Sequence, residues 1–376
     1  MSQVPKLPIR VAILGAGIFA KKSHLPTILG HPSLFKLTGV YSRSKKSAQD
    51  TCDAVPSSYG PVQVYSDDSG AGSTLNDLLA RDDLDAVVMC LPVGVQERIV
   101  KLAVENGKHV LSEKPVSGSG KEADKLMSWY AAAVTRGSGV TWLVAENWRA
   151  EAATLYAADL VRGVGKGVRT FSMQCWLETR PDNAYVATGW RVGAGSVLPG
   201  GFLLDGGVHW LAMLRAVVGD VRTAAAFSSL CLPYCAPVDT VSGILALEKS
   251  PAAGTVNICF AASGRPFDIV LTVICVAGTV AIRVGTGGDP KGARRFEVEW
   301  TPEGGEGGNK REFPFAGIDA EFQEFARSVA GVDALPGVTK SDFASPDLSP
   351  AQAAKDVRTV EALLKSADQN GVPVNV

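Results

Sequence analysis

Between Ile9 and about Gly120, short runs of β-branched and apolar residues alternate with stretches whose apolar positions recur at helical spacing. IRVAILG, FKLTGVYS, LDAVVMCLP and HVLSE read as strands; FAKKSHLPTILGH, SKKSAQDTCDAV and VQERIVKLAVENG read as helices between them. Strands that alternate with helices at this pitch pair in parallel, and the unbroken apolar strands imply helices on both faces of the sheet. A helix from about Gly120 to Thr135 and a strand VTWLVAEN complete this unit. Beyond it the pattern changes. Residues 167–300 hold longer strand-like segments, among them VRTFSMQCWLE, DTVSGILALEK, AGTVNICFAA and FDIVLTVICVAG, separated by Gly, Pro and Asp. Such punctuation predicts a mostly antiparallel sheet. Two helices close the chain, in DAEFQEFARSVAG and in SPAQAAKDVRTVEALLKSADQNG, with Ser349 and Asn370 or Gly371 as caps. EGGEGG (303–308) reads as a loop tip.

The length of 376 residues exceeds what one core normally serves, about 250 to 300 residues. The expected fold is therefore α/β, with a doubly wound N-terminal domain (1–146) and a C-terminal α+β domain (147–376) whose last helices pack back on the first. A net charge of -1 and 20% charged residues lack the basic excess that phosphate backbones require, which argues against nucleic acid. Seven scattered cysteines read as free thiols, and the CLPYC spacing of Cys231 and Cys235 has no second cluster to make a metal site. No run of about 20 apolar residues predicts a membrane span, and MSQVPKLPIR has no apolar signal region. A cytoplasmic protein is the expectation.

The motif GAGIFA follows the first strand and opens a helix. Glycine is needed there because the turn is tight and the backbone must approach a pyrophosphate at the helix N-terminus. This is the dinucleotide-binding Rossmann pattern, with Gly15, Gly17, Ile18 and Phe19 on the cofactor. At the end of the second strand, where an acid would hold a ribose 2′-hydroxyl, the sequence is TGVYSRSKKS. Ser42, Arg43, Lys45 and Lys46 there offer a hydroxyl and three cations to a 2′-phosphate, which predicts NADP.

Further motifs carry a resemblance. HVLSEKPVSG, AENWRAE (145–151), GGFLLDGGVHWLAMLR (200–215) and the closing EALLKSADQNGVPVNV resemble the Gfo/Idh/MocA oxidoreductases, named for glucose–fructose oxidoreductase and inositol dehydrogenase, over nearly the whole chain. Within that family the combination looks closest to a fungal and yeast NADP-linked branch. The resemblance implies that Glu113 and Lys114 meet the cofactor, that Lys114–Pro115 is cis, and that Leu91 and Pro92 line the nucleotide. It also implies catalytic roles for Lys114, Asp205 and His209. Where many relatives have a histidine after the third-strand loop, this chain has Gln96.

The residues alone support the same site. Lys114 follows a parallel strand at the sheet end where ligands bind, and a desolvated lysine beside an oxidised nicotinamide should have a lowered pKa. Asp205 and His209 are four apart, one helical turn, and fit an acid/base pair in which Asp205 orients the ring or holds substrate; an N-cap aspartate beside a buried histidine fits the spacing too. Glu146 and Arg149 are placed on the substrate, Asn147 on the cofactor, and Trp190 and Arg191 near the cofactor by likeness to relatives. Tyr185 is expected to wall the pocket. The expected activity is NADP(H)-dependent hydride transfer to or from a carbonyl, alcohol or imine carbon of a small molecule, in a homo-oligomer such as a dimer. A redox-neutral isomerase or epimerase that retains its NADP, and a non-catalytic NADP-responsive regulator, are the alternatives. Sugars, polyols, aromatic diols and secondary metabolites all remain open as substrates.

Overall fold

The computed structural model describes residues 6–189, 191, 198–285, 294–339 and 342–376. Trp190 lies outside them. The first sheet is built from β1 (Ile9–Leu14), β2 (Phe35–Ser42), β3 (Gln63–Ser66), β4 (Ala86–Met89), β5 (His109–Glu113) and β6 (Trp142–Ala145). All neighbours are parallel, in the order β3-β2-β1-β4-β5-β6. The order reverses between β1 and β4, and the crevice at their carboxyl ends is where such sheets bind ligands. β4 is buried along its whole length, as a strand covered on both faces must be. β3 and the helix Leu75–Leu79 are elements that the periodicity of the sequence does not announce, since each is too short for a period to develop. Thr74 and Asp77 close a reciprocal capping box there, which defines the helix locally.

The second sheet contains β7 (Val168–Trp176), β8 (Val221–Ser229), β9 (Thr240–Leu247), β10 (Ala253–Cys259), β11 (Asp268–Cys275), β12 (Gly278–Gly285), β13 (Arg295–Pro302), β14 (Asn309–Pro314) and β15 (Val374–Asn375). Its order is β14-β13-β12-β11-β7-β10-β9-β8-β15, and only β7 and β10 run parallel. One face packs on the helices Ala152–Arg162, Gly207–Val218 and Pro350–Asp368. The other carries a cross-strand row of short or apolar uncharged side chains, Ala225, Ile244, Thr255, Ser172 and Thr272, with Ile244 54% exposed.

The stretch Gly201–Val218 is long and apolar enough to cross a membrane, yet 83% of it is buried inside the protein. It is a core element, and it brings Asp205, His209 and Arg215 with it. Arg215 meets Asp356 of the last long helix, which Arg149 also reaches at 2.9 Å. This buried network ties the helices together at a place where no water could solvate the charges.

The helix Gly317–Ala330 returns to the first sheet. Phe322 and Phe325 are fully buried among Ile9, Ile13, Leu34 and Phe35. Its start is fixed by contact: a Cβ on Gly317 would lie 2.1 Å from the Asn147 carbonyl oxygen, so only glycine fits. Glu151 accepts the backbone N–H groups of Ala316 and Gly317 at 3.1 and 2.9 Å.

Candidate active site

Gly15 adopts φ +107°, and a Cβ there would lie 2.2 Å from the Cys90 carbonyl oxygen. Both the conformation and the approach of β1 to the end of β4 demand glycine. Gly17 is different. A Cβ there would meet nothing within 4 Å, because the residue faces open space on the cavity wall, and the helix begins at Ile18. Backbone N–H groups at a helix N-terminus facing an open cradle fit a pyrophosphate. The cavity has a volume of about 890 Å³ and runs from this turn past the ends of β4, β5 and β6 to the second sheet.

Twelve of the residues singled out in the sequence line it: Gly17, Ile18, Phe19, Leu91, Pro92, Glu113, Lys114, Asn147, Tyr185, Arg191, Asp205 and His209. The Lys114–Pro115 bond is cis. Lys114 Nζ donates to the Asp205 carbonyl oxygen at 2.8 Å and to its Oδ1 at 3.1 Å. Arg191 Nε donates to the other carboxylate oxygen at 2.7 Å, and its guanidinium lies 4.9 Å from the centroid of the Tyr185 ring. Burial alone would raise the Asp205 pKa, yet the two cations hold it down to about 2.

Two expectations need correction here. Burial does push Lys114 down, but Asp205 and Glu113 outweigh it and the net direction is upward, so Lys114 is a firmly charged clamp. Nor does Asp205 orient His209. The helix Gly201–Asp205 ends where Gly206 interrupts it before Gly207–Val218, so the four-residue spacing does not make one continuous turn. A Cβ on Gly206 would lie 3.1 Å from Phe260 Cζ, a tight contact that favours glycine there.

The partner of His209 is Glu146, whose Oε1 lies 2.7 Å from Nδ1. Burial would raise the Glu146 carboxyl, but His209, Lys114 and Arg149 lower it below its ordinary value. A carboxylate at Nδ1 fixes the tautomer with the proton on that nitrogen and leaves Nε2 for the cavity. Arg149 does not line the cavity; its guanidinium turns to Asp356 because that buried carboxylate must be paired.

At the far end of the cofactor path, Ser42 pairs with Ser66 across β2 and β3, and Arg43 is exposed. Lys46 makes an ion pair with Asp50 at 3.0 Å along its own helix. The fold also supplies acids that the local sequence lacks: Asp67 accepts the Tyr41 hydroxyl at 2.6 Å, and Asp68 accepts the Lys45 backbone N–H at 2.6 Å.

His24 and Glu321 escaped the sequence reading, which noted Gln96 only as standing where relatives have a histidine. His24 sits in a π-helical turn, Ala20–His24, and its Nε2 lies 2.7 Å from Glu113 Oε1. Gln96 Nε2 donates to the Pro115 carbonyl oxygen at 3.2 Å and so braces the Lys114 segment. Glu321 lines the cavity from the helix Gly317–Ala330. Its signal was present: an acid stands within the apolar stripe Ile318, Phe322, Phe325.

Residues 9–137 match the family described as oxidoreductases with an NAD-binding Rossmann fold, and residues 167–281 match the C-terminal domain of the same GFO/IDH/MocA family. The chain is 32% identical to dehydrogenase FPY6 of Fusarium mangiferae, over 96% of this chain and 97% of that one. It is 31% identical to a dTDP-3,4-didehydro-2,6-dideoxy-alpha-D-glucose 3-reductase of Actinomadura kijaniata over 54% of each chain. An oxidoreductase of Thermotoga maritima superposes with a TM-score of 0.75 at 27% identity, covering 98% of both chains. With the glycine turn, Glu113 and Lys114, and Asp205 and His209 all in place on one cavity, this chain is a member of the Gfo/Idh/MocA family of oxidoreductases.

Proposed function

We propose that this protein is an NADP(H)-dependent dehydrogenase or reductase that acts on a carbonyl, alcohol or imine carbon of a small sugar-like molecule. The observation that carries the reading is the convergence of Lys114, Asp205, Arg191 and the Glu146–His209 pair on the cavity that begins at Gly17. A nicotinamide cofactor, when bound, supplies or accepts the hydride. Glu113, Lys114 and Asn147 would hold its nicotinamide end, and Gly17 with Ile18 its pyrophosphate. Lys114, kept charged, donates a hydrogen bond to the substrate oxygen and stabilises negative charge that develops there. His209 Nε2 takes the hydroxyl proton in oxidation and returns it in reduction, while Glu146 stabilises the ring when it is charged.

Beyond this polar cluster the wall is aromatic, with Trp148, Trp210, Phe260 and Phe267, and Glu178, Thr179 and Asn183 supply hydrogen-bonding groups. A mostly apolar wall with a few placed polar groups suits a polyhydroxylated ring. Preference for NADP is supported by exposed Arg43 after β2 and by the absence of an acid within TGVYSRSKKS. The seven unpaired cysteines support a reducing, cytoplasmic setting, and the uncharged outer row of the second sheet supports a homodimer.

The test is absorbance of NADPH and NADP during incubation with a panel of aldoses, ketoses and polyols. Turnover by wild type that falls by about 10² or more in Lys114→Ala and His209→Ala supports the assignment. Turnover unchanged in both variants would exclude it.

A further inference from the structure

Glu321 is a buried acid in the cavity wall with no ion pair among the described residues. It is 1% exposed, and Oε2 has no hydrogen-bond partner. The other buried acids of this wall are matched, Asp205 by Lys114 and Arg191, and Glu113 by His24. The charges that act most strongly on Glu321 are acidic: Glu113 at the end of β5, Glu146 after β6, Glu151 ahead of the helix Ala152–Arg162, and Asp319 on its own helix. His24 gives Nε2 to Glu113 and leaves Nδ1 without a hydrogen-bond partner, and His209 gives Nδ1 to Glu146. Burial first, and then these carboxylates, push the Glu321 carboxyl well above the ordinary range. Burial and its neighbours thus favour the protonated acid, which has an O–H to donate.

The fold holds it there. Gly317 abuts the Asn147 carbonyl, and Glu151 pins the first turn of the same helix, so Glu321 one turn later cannot withdraw from the cavity. A leucine at this position would extend the apolar stripe of Phe322 and Phe325, whereas a buried polar atom left unsatisfied costs stability. Perturbed acids of this kind concentrate at functional sites. Glu321, Glu113, Ala145 and Asn147 line one cavity, and the helix that carries Glu321 packs on β6 and on the short helix Asn147–Ala150 that follows it, at the sheet end where the nicotinamide end of a cofactor belongs.

We propose that Glu321 is a further cofactor-contacting residue, a carboxylic acid at the nicotinamide end that releases its proton when the ring beside it is cationic and keeps it when the ring is neutral. This rests on the cofactor reading given above. The balance is simple: the O–H bond of Glu321 breaks, one proton passes to solvent, and the carboxylate left behind offsets the ring charge. No bond of the cofactor changes. The oxidised and reduced forms then differ by one proton at Glu321, which gives the protein a means to distinguish the two redox states by charge.

Calorimetric titration of the full chain with NADP and with NADPH, in buffers of different ionisation enthalpy, counts the protons. The 2′-phosphate is common to both nucleotides, so the difference between them isolates the ring. Wild type should release close to one proton more with NADP than with NADPH. Glu321→Gln should abolish that difference and weaken NADP about tenfold while NADPH changes by less than about twofold, as proton linkage requires. In the wild-type protein, infrared difference spectra should show a protonated-carboxyl band lost on adding NADP and kept with NADPH, a readout that does not depend on the variant folding. An equal proton count in wild type and Glu321→Gln, or a carboxyl band indifferent to both nucleotides, would overturn the inference alone. Absence of binding by either nucleotide would overturn the cofactor reading as well.

Discussion

Glu146 Oε1 lies 2.7 Å from His209 Nδ1, and this contact, rather than one with Asp205, decides which face of the imidazole meets the cavity. Glu146 is a positioning residue. Glu146→Gln keeps the shape but cannot compensate an imidazolium, so kcat should fall about 10- to 100-fold with KM and cofactor Kd nearly unchanged. Steady-state kinetics and a nucleotide titration on the same preparation check this. A rise in KM with kcat intact would instead mark Glu146 as a substrate contact.

Asp205 joins two cations, and its removal takes away the carboxylate to which both Lys114 and Arg191 donate in the cavity wall. Asp205→Asn should destabilise the protein by about 3 kcal/mol in denaturant unfolding near pH 7. The pH dependence has a definite sign. The folded pKa of about 2 lies below the usual aspartate value, so the stabilisation is complete above about pH 4 and is lost as pH falls toward 2. The stability gap between wild type and variant should thus be flat from pH 5 to 8 and close in acid.

Arg43 is exposed after β2 with no acid within its own loop, and Asp67 and Asp68 stand in the turn after β3, bonded to Tyr41 and to the Lys45 backbone. Arg43→Ala should weaken NADPH by about 2 kcal/mol, the scale of a charge-assisted hydrogen bond, and NADH by much less. Fluorescence titration with both nucleotides measures the two losses. Equal losses would remove the 2′-phosphate from Arg43.

Ile244, 54% exposed, stands between Ala225 and Thr255 in the uncharged row on the open face of the second sheet. If a second copy covers that face, Ile244→Lys buries a charge in the interface and should convert a dimer into monomers in sedimentation velocity, with NADPH binding retained. An unchanged sedimentation coefficient would move the interface elsewhere.

Much of this architecture was legible because its determinants are local. Continuous apolar strands, glycine at 15 and 17, and the helix Gly120–Thr135 follow from period and punctuation. The Glu113–Lys114–Pro115 and Asp205–His209 segments were found by resemblance, and the cavity gathers both. What the sequence hid depends on contacts between distant segments. Glu146 and His209 are 63 residues apart, and His24 and Glu113 are 89 apart. Spacing within one helix suggested instead that Asp205 serves His209, and the break at Gly206 undid that pairing. Arg149 looked like a ligand of the pocket because nothing nearby in sequence reveals Asp356. Asp67 and Asp68 reach the nucleotide end only because β3 lies beside β2. The rising pKa of Lys114 likewise needed Asp205 in place, 91 residues on.

The central claim is that one cavity joins an NADP site to the Lys114 and His209 chemistry. A crystal structure with NADP bound tests it most directly. The account predicts the pyrophosphate over Gly17 and Ile18, the 2′-phosphate at Arg43, and the nicotinamide between Lys114 and His209. Nicotinamide outside this cavity, or nearer to Arg149 than to Lys114, would contradict it.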